Sequence, residues 1–134
     1  MKYAVRFVLY WYDVFDTTNT NIYDVIVKAP NPDFALALAV TIFKETKEIY
    51  NYPNRYNKVR FISVTDEKGE IYVSKLSPQN HYYGEDLPLE NQWFKLPELI
   101  KVPKEDHGKL PKKFCFDGET FFVIYAHEMI PKLR

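Results

Sequence analysis

The sequence predicts an α+β fold, with a mainly antiparallel sheet of order β-β-α-β-β plus a C-terminal hairpin and one long helix on one face. Three features indicate it: strand-like alternation in several segments, one capped apolar helix, and an irregular arm at about 77–113 with closely spaced prolines. A length of 134 residues and a hydrophobic fraction of 46% suit a single domain over residues 1–134.

The first predicted strand runs from Tyr3 to Tyr12, and a loop rich in Asp, Thr and Asn follows from Asp13 to Asn21. Ile22 to Ala29 resumes the alternation, and we expect it to pair antiparallel with the first strand. Alternation places two sets of side chains on opposite faces of the first strand. One set is Tyr3, Val5, Phe7, Leu9 and Trp11, and the other, expected to be less buried, is Ala4, Arg6, Val8, Tyr10 and Tyr12.

The predicted helix runs from about Pro32 to Tyr50. Asn31 can cap it, Pro32 suits the first turn, and Asp33 complements the helix dipole. Pro53, in the loop that follows, prevents the helix from continuing. The residues that recur at helical spacing and form the stripe expected to pack on the sheet are Ala35, Leu38, Ala39, Ile42 and Ile49.

A second hairpin is predicted from Val59–Thr65 and Glu70–Lys75, because Gly69 suits the positive φ of a turn with a bulge. The proline-rich arm follows, and its apolar residues indicate that it lies against the sheet, with a helical turn near Leu89 to Leu96. The C-terminal hairpin is predicted from Phe114–Phe116 and Thr120–Ala126 about Asp117-Gly118.

Composition restricts the classes of function. Lys and Arg together number 18, as do Asp and Glu, so the net charge of zero gives no global attraction to nucleic acid or anionic lipid. The single cysteine, Cys115, cannot form an internal disulfide, and the chain contains no apolar run long enough to span a membrane. We therefore expect a soluble cytoplasmic protein without a signal peptide.

Catalytic and cofactor motifs are absent from the sequence. With 4 glycines the chain has no glycine-rich phosphate loop, and the 3 histidines lack metal-ligand spacing. We expect no cofactor and no catalytic residue. The alternative is a small metal-dependent hydrolase or nuclease, in which tertiary structure brings together His127, Glu128, His107 and Asp106.

A second alternative is a single-stranded nucleic-acid binder. Arg6, Tyr10 and Tyr12 share a strand face, and aromatic rings can stack with bases while Arg binds phosphate. These residues could equally form cross-strand pairs that support the sheet.

The leading hypothesis is a non-catalytic protein-interaction module, an inhibitor or adaptor of the compact kind that mobile elements such as phages carry. Aromatic residues form 17% of the chain, and the arm combines them with polar neighbours, a mixture typical of binding surfaces. The candidate binding residues there are Tyr82, Tyr83, Trp93 and Phe94. Alternatively, Trp93 and Phe94 hold the arm against the domain, and Tyr82 and Tyr83 cover a sheet edge. A homodimer is also expected if the sheet has free edges.

Overall fold

The computed structural model describes residues 1–12, 18–45, 56–75, 85–87, 96–110 and 122–125. Seven strands form one sheet in the order β6-β4-β3-β1-β2-β7, and β5 pairs with β3 beside β4. Every pairing is antiparallel except that of β2 with β7, which confirms the α+β class with a mainly antiparallel sheet. The strands are β1 Lys2–Tyr12, β2 Thr18–Lys28, β3 Tyr56–Asp66, β4 Ile71–Ser74, β5 Glu85–Leu87, β6 Leu99–Lys101 and β7 Phe122–Tyr125; the helix is α1 Pro32–Glu45.

The first two strands pair over their whole length, from Lys2 opposite Lys28 to Tyr12 opposite Thr18. The predicted loop was therefore too long, because its last residues, Thr18–Asn21, belong to β2. Pairing with β1 satisfies their backbone groups and overrides the turn preference of Thr and Asn.

Helix α1 begins as the sequence predicts. The Asn31 Oδ1 accepts a hydrogen bond from the backbone N–H of Phe34 at 2.8 Å, which is the predicted cap. The described part ends at Glu45, so the predicted continuation to Tyr50 lies outside the described residues. Ala35, Leu38, Ala39 and Ile42 are all buried, which confirms the predicted stripe over this length.

The main core lies between α1 and the sheet, and aromatic rings form its centre. The Phe7 ring lies 4.5 Å from that of Phe43 and 6.2 Å from that of Phe61, centroid to centroid. Tyr23 meets Phe43 edge to face at 5.7 Å. These four aromatic residues therefore have a structural role, which accounts for part of the aromatic excess.

The predicted second hairpin is confirmed as β3 and β4. Gly69 has a φ of +83°, and its N–H donates to the carbonyl of Asp66 at 3.1 Å. The Asp66 side chain accepts hydrogen bonds from the backbone N–H groups of Lys68 and Glu70, which fixes the turn.

Part of the sheet face opposite α1 is also buried. Val8, Ile62, Ile71 and Val73 form a second apolar cluster there with other residues of the far side. Arg6 is 2% exposed, so the prediction that its face is the less buried one is wrong at this position. The alternation placed Arg6 and Val8 on one face correctly but could not show that this face is covered.

The proline-rich arm adds two short strands and one 3₁₀ helix to this scaffold. β5 pairs with β3, β6 pairs with β4, and the 3₁₀ helix spans Lys104–Lys109. Val102 and Leu110, on either side of the 3₁₀ helix, are buried in the second cluster. The predicted helical turn near Leu89 and the first strand of the C-terminal hairpin lie outside the described residues, whereas β7 corresponds to the second strand of that hairpin.

Candidate functional site: the edge strand β6

Strand β6 forms one end of the sheet order and carries exposed apolar side chains. Ile100 and the preceding Leu96 are each 37% exposed. Leu99, on the other face of β6, is partly buried and packs against the main core. The strand is thus anchored on one face and presents apolar surface on the other. We call Leu96, Ile100 and the outer backbone groups of β6 the edge surface.

Hydrogen bonds to β4 show which backbone groups of β6 point outward. The carbonyl of Glu98 accepts from the Lys75 N–H, and the Val102 N–H donates to the carbonyl of Ile71, both at 2.8 Å. Because backbone groups alternate along a strand, Ile100 also points toward β4, and Leu99 and Lys101 point away from it. The structure shows no hydrogen bond, within its described part, to the outward N–H groups of Leu99 and Lys101.

Two prolines limit the length of this open edge. Pro97 and Pro103 follow the same alternation as Leu99 and Lys101 but have no N–H to donate. Among the described residues of this edge, therefore, only Leu99 and Lys101 offer an incoming strand both a backbone N–H donor and a carbonyl acceptor. Prolines on edge strands restrict unselective strand pairing, so this edge offers backbone hydrogen-bonding groups over a short length only.

Two ion pairs lie beside the edge surface. The Lys101 Nζ lies 3.0 Å from the Glu70 Oε2, and the Lys75 Nζ lies 3.3 Å from the Glu98 Oε2. The hydrogen bond from Lys101 lowers the pKa of Glu70, and the same bond raises the pKa of Lys101. Both groups are therefore held in their charged forms, and the Lys101 side chain is drawn toward β4.

A separate cleft of about 370 Å³ lies at the end of the sheet where β1 begins. Its floor is formed by Ala4, Ile26 and Thr65 on the face opposite α1. The backbone N–H of Lys2 donates to the Glu67 Oε1 at 2.6 Å across its rim. Burial, then Tyr72 and Asp66, raise the pKa of Tyr3, whose side chain packs in the core on the α1 side of the sheet. The cleft can hold a small apolar group but contains no arrangement of catalytic groups among the described residues.

The residues proposed to bind nucleic acid do not form an exposed cationic platform at Arg6. The Nε and Nη2 atoms of Arg6 donate to the two carboxylate oxygens of Asp24, each at 2.7 Å. Both residues are buried. The guanidinium is therefore committed to an internal carboxylate rather than presented to a phosphate. The side chains of Tyr10 and Tyr12 lie outside the described part of the structure, although their backbones belong to β1.

The residues of the alternative metal site are described only in part. Asp106 and His107 lie in the 3₁₀ helix, where Asp106 pairs with Lys109 at 3.4 Å and the His107 Nε2 lies 3.2 Å from the carbonyl oxygen of Val102. His127 and Glu128 are outside the described residues. Among those described, no group of three or more His, Cys, Asp or Glu side chains is placed to hold a metal ion.

The arm residues Tyr82, Tyr83, Trp93 and Phe94 also lie outside the described residues, so their binding role remains a prediction. The edge surface, which begins two residues after Phe94, was not predicted from the sequence. Its signal is the segment Pro97-Glu98-Leu99-Ile100-Lys101-Val102-Pro103, a short alternating run between prolines. This pattern is typical of an edge strand, but pairing with β4 is needed to recognise it.

Comparisons of this chain with models of known protein families, with curated proteins and with solved structures found no match. Among the residues that the structure describes, no helix is both long and apolar enough to cross a membrane. The assignment of function therefore depends on the geometry of the chain itself.

Proposed function

We propose that this protein is a non-catalytic protein-interaction module that binds an extended protein segment along β6. The observation that carries the proposal is the open edge, where Ile100 is exposed and the backbone groups of Leu99 and Lys101 point away from the sheet. Strand addition to such an edge gains affinity from backbone hydrogen bonds and specificity from alternate side chains.

The position of the edge surface supports this function in two ways. Leu99 packs against the core, so β6 is preorganised and a partner does not have to order it. Leu96 lies two residues after Phe94, so the edge surface begins close in sequence to the candidate binding residues Trp93 and Phe94. Rigid aromatic side chains beside a strand edge are suited to act as anchors.

We further propose that the module acts in the reducing cytoplasm, for which its single cysteine is suited, as an inhibitor or adaptor. An added strand can block the partner's own contacts or bring two proteins together. Both actions require binding without chemistry.

The test compares two substitutions at one residue in an affinity capture from native lysate, with and without nuclease. Lys101→Pro removes the outward N–H and the ion pair with Glu70, whereas Lys101→Ala removes only the ion pair. We expect a nuclease-resistant protein partner that Lys101→Ala retains and Lys101→Pro loses. Near-ultraviolet circular dichroism of both variants verifies that the fold is intact.

A second pair of variants examines the arm. Alanine at Tyr82, Tyr83 and Trp93 should abolish the same complex, while Phe34→Lys should leave it intact because Phe34 is exposed on α1, away from β6. Equal capture by Lys101→Pro and Lys101→Ala would exclude strand addition. Loss of all captured material on nuclease treatment would favour the nucleic-acid alternative.

A further inference from the structure

We infer that the edge strand β6 pairs with β6 of a second copy of this chain, antiparallel, with Ile100 on the two-fold axis. The inference rests on the proposed function and names the partner of the same edge. The pairing extends the sheet across both copies and places the two α1 helices on the same side of it.

The outward backbone groups select the register. When Ile100 lies opposite its counterpart, Leu99 of each copy lies opposite Lys101 of the other. Both of these residues direct an N–H and a carbonyl outward, so each opposed pair can exchange two hydrogen bonds. Pro97 of each copy then lies opposite Pro103 of the other, beyond the last backbone hydrogen bonds of the pairing, where no N–H donor is required.

The neighbouring symmetric registers are less favourable. A register centred on Lys101 places the outward carbonyl of Leu99 opposite Pro103, whose nitrogen carries no hydrogen to donate. A register centred on Leu99 places the outward N–H of Lys101 opposite Pro97, whose nitrogen carries no hydrogen to donate in return. Of these three registers, only the one centred on Ile100 leaves no outward carbonyl of Leu99 or Lys101 opposite a proline nitrogen.

Side-chain chemistry on both faces supports the same register. On the face opposite α1, the exposed Ile100 side chains contact each other across the axis and lose water-accessible apolar surface. On the α1 face, the aliphatic part of Lys101 lies against Leu99 of the other copy while its ammonium remains with Glu70. The strand is therefore self-complementary, as a two-fold interface requires.

Disulfide trapping of the purified full chain tests the register. Ile100→Cys and Lys101→Cys are prepared separately in a Cys115→Ser background and oxidised with a glutathione buffer. In the inferred dimer the two residues at position 100 form a non-hydrogen-bonded pair with Cα atoms about 4.5 Å apart, within reach of a disulfide. Residues at position 101 are diagonal neighbours, about 7–8 Å apart. We expect at least about tenfold more cross-linked dimer from Ile100→Cys than from Lys101→Cys, given those distances.

Sedimentation equilibrium of the unmodified chain tests the dimer itself. Ile100→Lys places two ammonium groups opposite each other on the axis and should raise the dissociation constant by about tenfold or more. Phe34→Lys, which adds the same charge on α1, should leave it unchanged. Near-ultraviolet circular dichroism identifies any variant that fails to fold.

The outcomes separate this inference from the proposed function. Preferential trapping at position 101, equal trapping at both positions, or a chain that stays monomeric and is not trapped would overturn the second-copy pairing. If a lysate partner is nevertheless lost with Lys101→Pro, the edge binds a different protein and the interaction function stands. If the dimer forms but Ile100→Lys does not weaken it, the pairing is at another surface and the inference is wrong.

Discussion

Removal of the Asp24 carboxylate should be among the most damaging single substitutions on the face opposite α1. Arg6 and Asp24 are 2% and 3% exposed, and two bonds of 2.7 Å join them across β1 and β2. Asp24→Ala leaves the guanidinium of Arg6 buried without its carboxylate. A buried charge that loses an ion-pair partner is costly, because the contribution that offset its removal from water is lost.

The expected cost follows from this burial. Breaking a buried ion pair by removing one partner costs about 3–5 kcal/mol, a large part of the roughly 5–15 kcal/mol that stabilises an ordinary domain. With a urea m-value of about 2 kcal/mol per molar, the midpoint of unfolding should fall by about 2 M. Replacing both residues by apolar ones, as in Arg6→Met with Asp24→Leu, should recover most of the loss, since neither member of the pair is then left buried as a single charge.

Urea unfolding followed by circular dichroism measures these changes. The matched control is Glu98→Ala, which breaks the exposed pair with Lys75 and should change the unfolding free energy by about 0.5 kcal/mol or less. A cost below about 1 kcal/mol for Asp24→Ala would refute the reasoning, because the pair would then behave as an exposed one.

Three smaller effects are expected. Asn31→Ala should cost about 1 kcal/mol by urea unfolding, since it removes the cap on the Phe34 N–H; an unchanged midpoint would contradict the capping role. Gly69→Ala should cost about 1 kcal/mol, from the φ of +83° alone because nothing lies within 4 Å of an added Cβ; a stabilised variant would refute this. Because folding lowers the pKa of Glu70, the ionised carboxylate stabilises the fold at pH values above 4.5, its ordinary pKa. This stabilisation is lost as the pH falls through the pKa of Glu70 in the folded state. Glu70→Gln should therefore reduce the fall in melting temperature as the pH drops below about 4.5. An unchanged dependence of melting temperature on pH would show that the Glu70–Lys101 ion pair does not cause that fall.

The features that the sequence predicted correctly depend on residues close together in the chain. The Asn31 cap and the Gly69 turn each involve a few neighbouring residues with specific backbone preferences. The buried stripe of α1 follows from helical spacing alone. These signals are local, so they can be read without knowledge of the tertiary fold.

The features that the sequence did not predict depend on distant partners. Alternation shows that Arg6 and Val8 share a face, but only the packing of the whole chain shows that this face is buried. The open edge at β6 exists because a three-residue strand pairs with β4, which precedes it by more than twenty residues. A surface made from backbone groups leaves little trace in side-chain chemistry, whereas the aromatic residues of the arm give a clear signal in the sequence.

A bulge in β3 shows the same distinction within a single strand. Phe61 lies opposite Phe7 and Ser63 lies opposite Arg6, so Ile62 is an extra residue in the ladder. Phe61 and Val64 consequently both belong to the α1-side core although they are three residues apart. Uniform alternation would place them on opposite faces.

Deletion of single residues in β3 should separate the bulge from the rest of the strand. Deleting Ile62 removes the extra residue and leaves every other side chain of β3 on its present face, so the cost should resemble truncation of a buried isoleucine, about 2–5 kcal/mol. Deleting Arg60 absorbs the same bulge but exchanges the faces of Phe61 and Ile62, which drives a buried ring out of the α1-side core. Urea unfolding should therefore show a cooperative transition for the Ile62 deletion at a lower midpoint, and little or none for the Arg60 deletion. Equal losses for the two deletions would mean that the extra residue is not what sets the faces of β3.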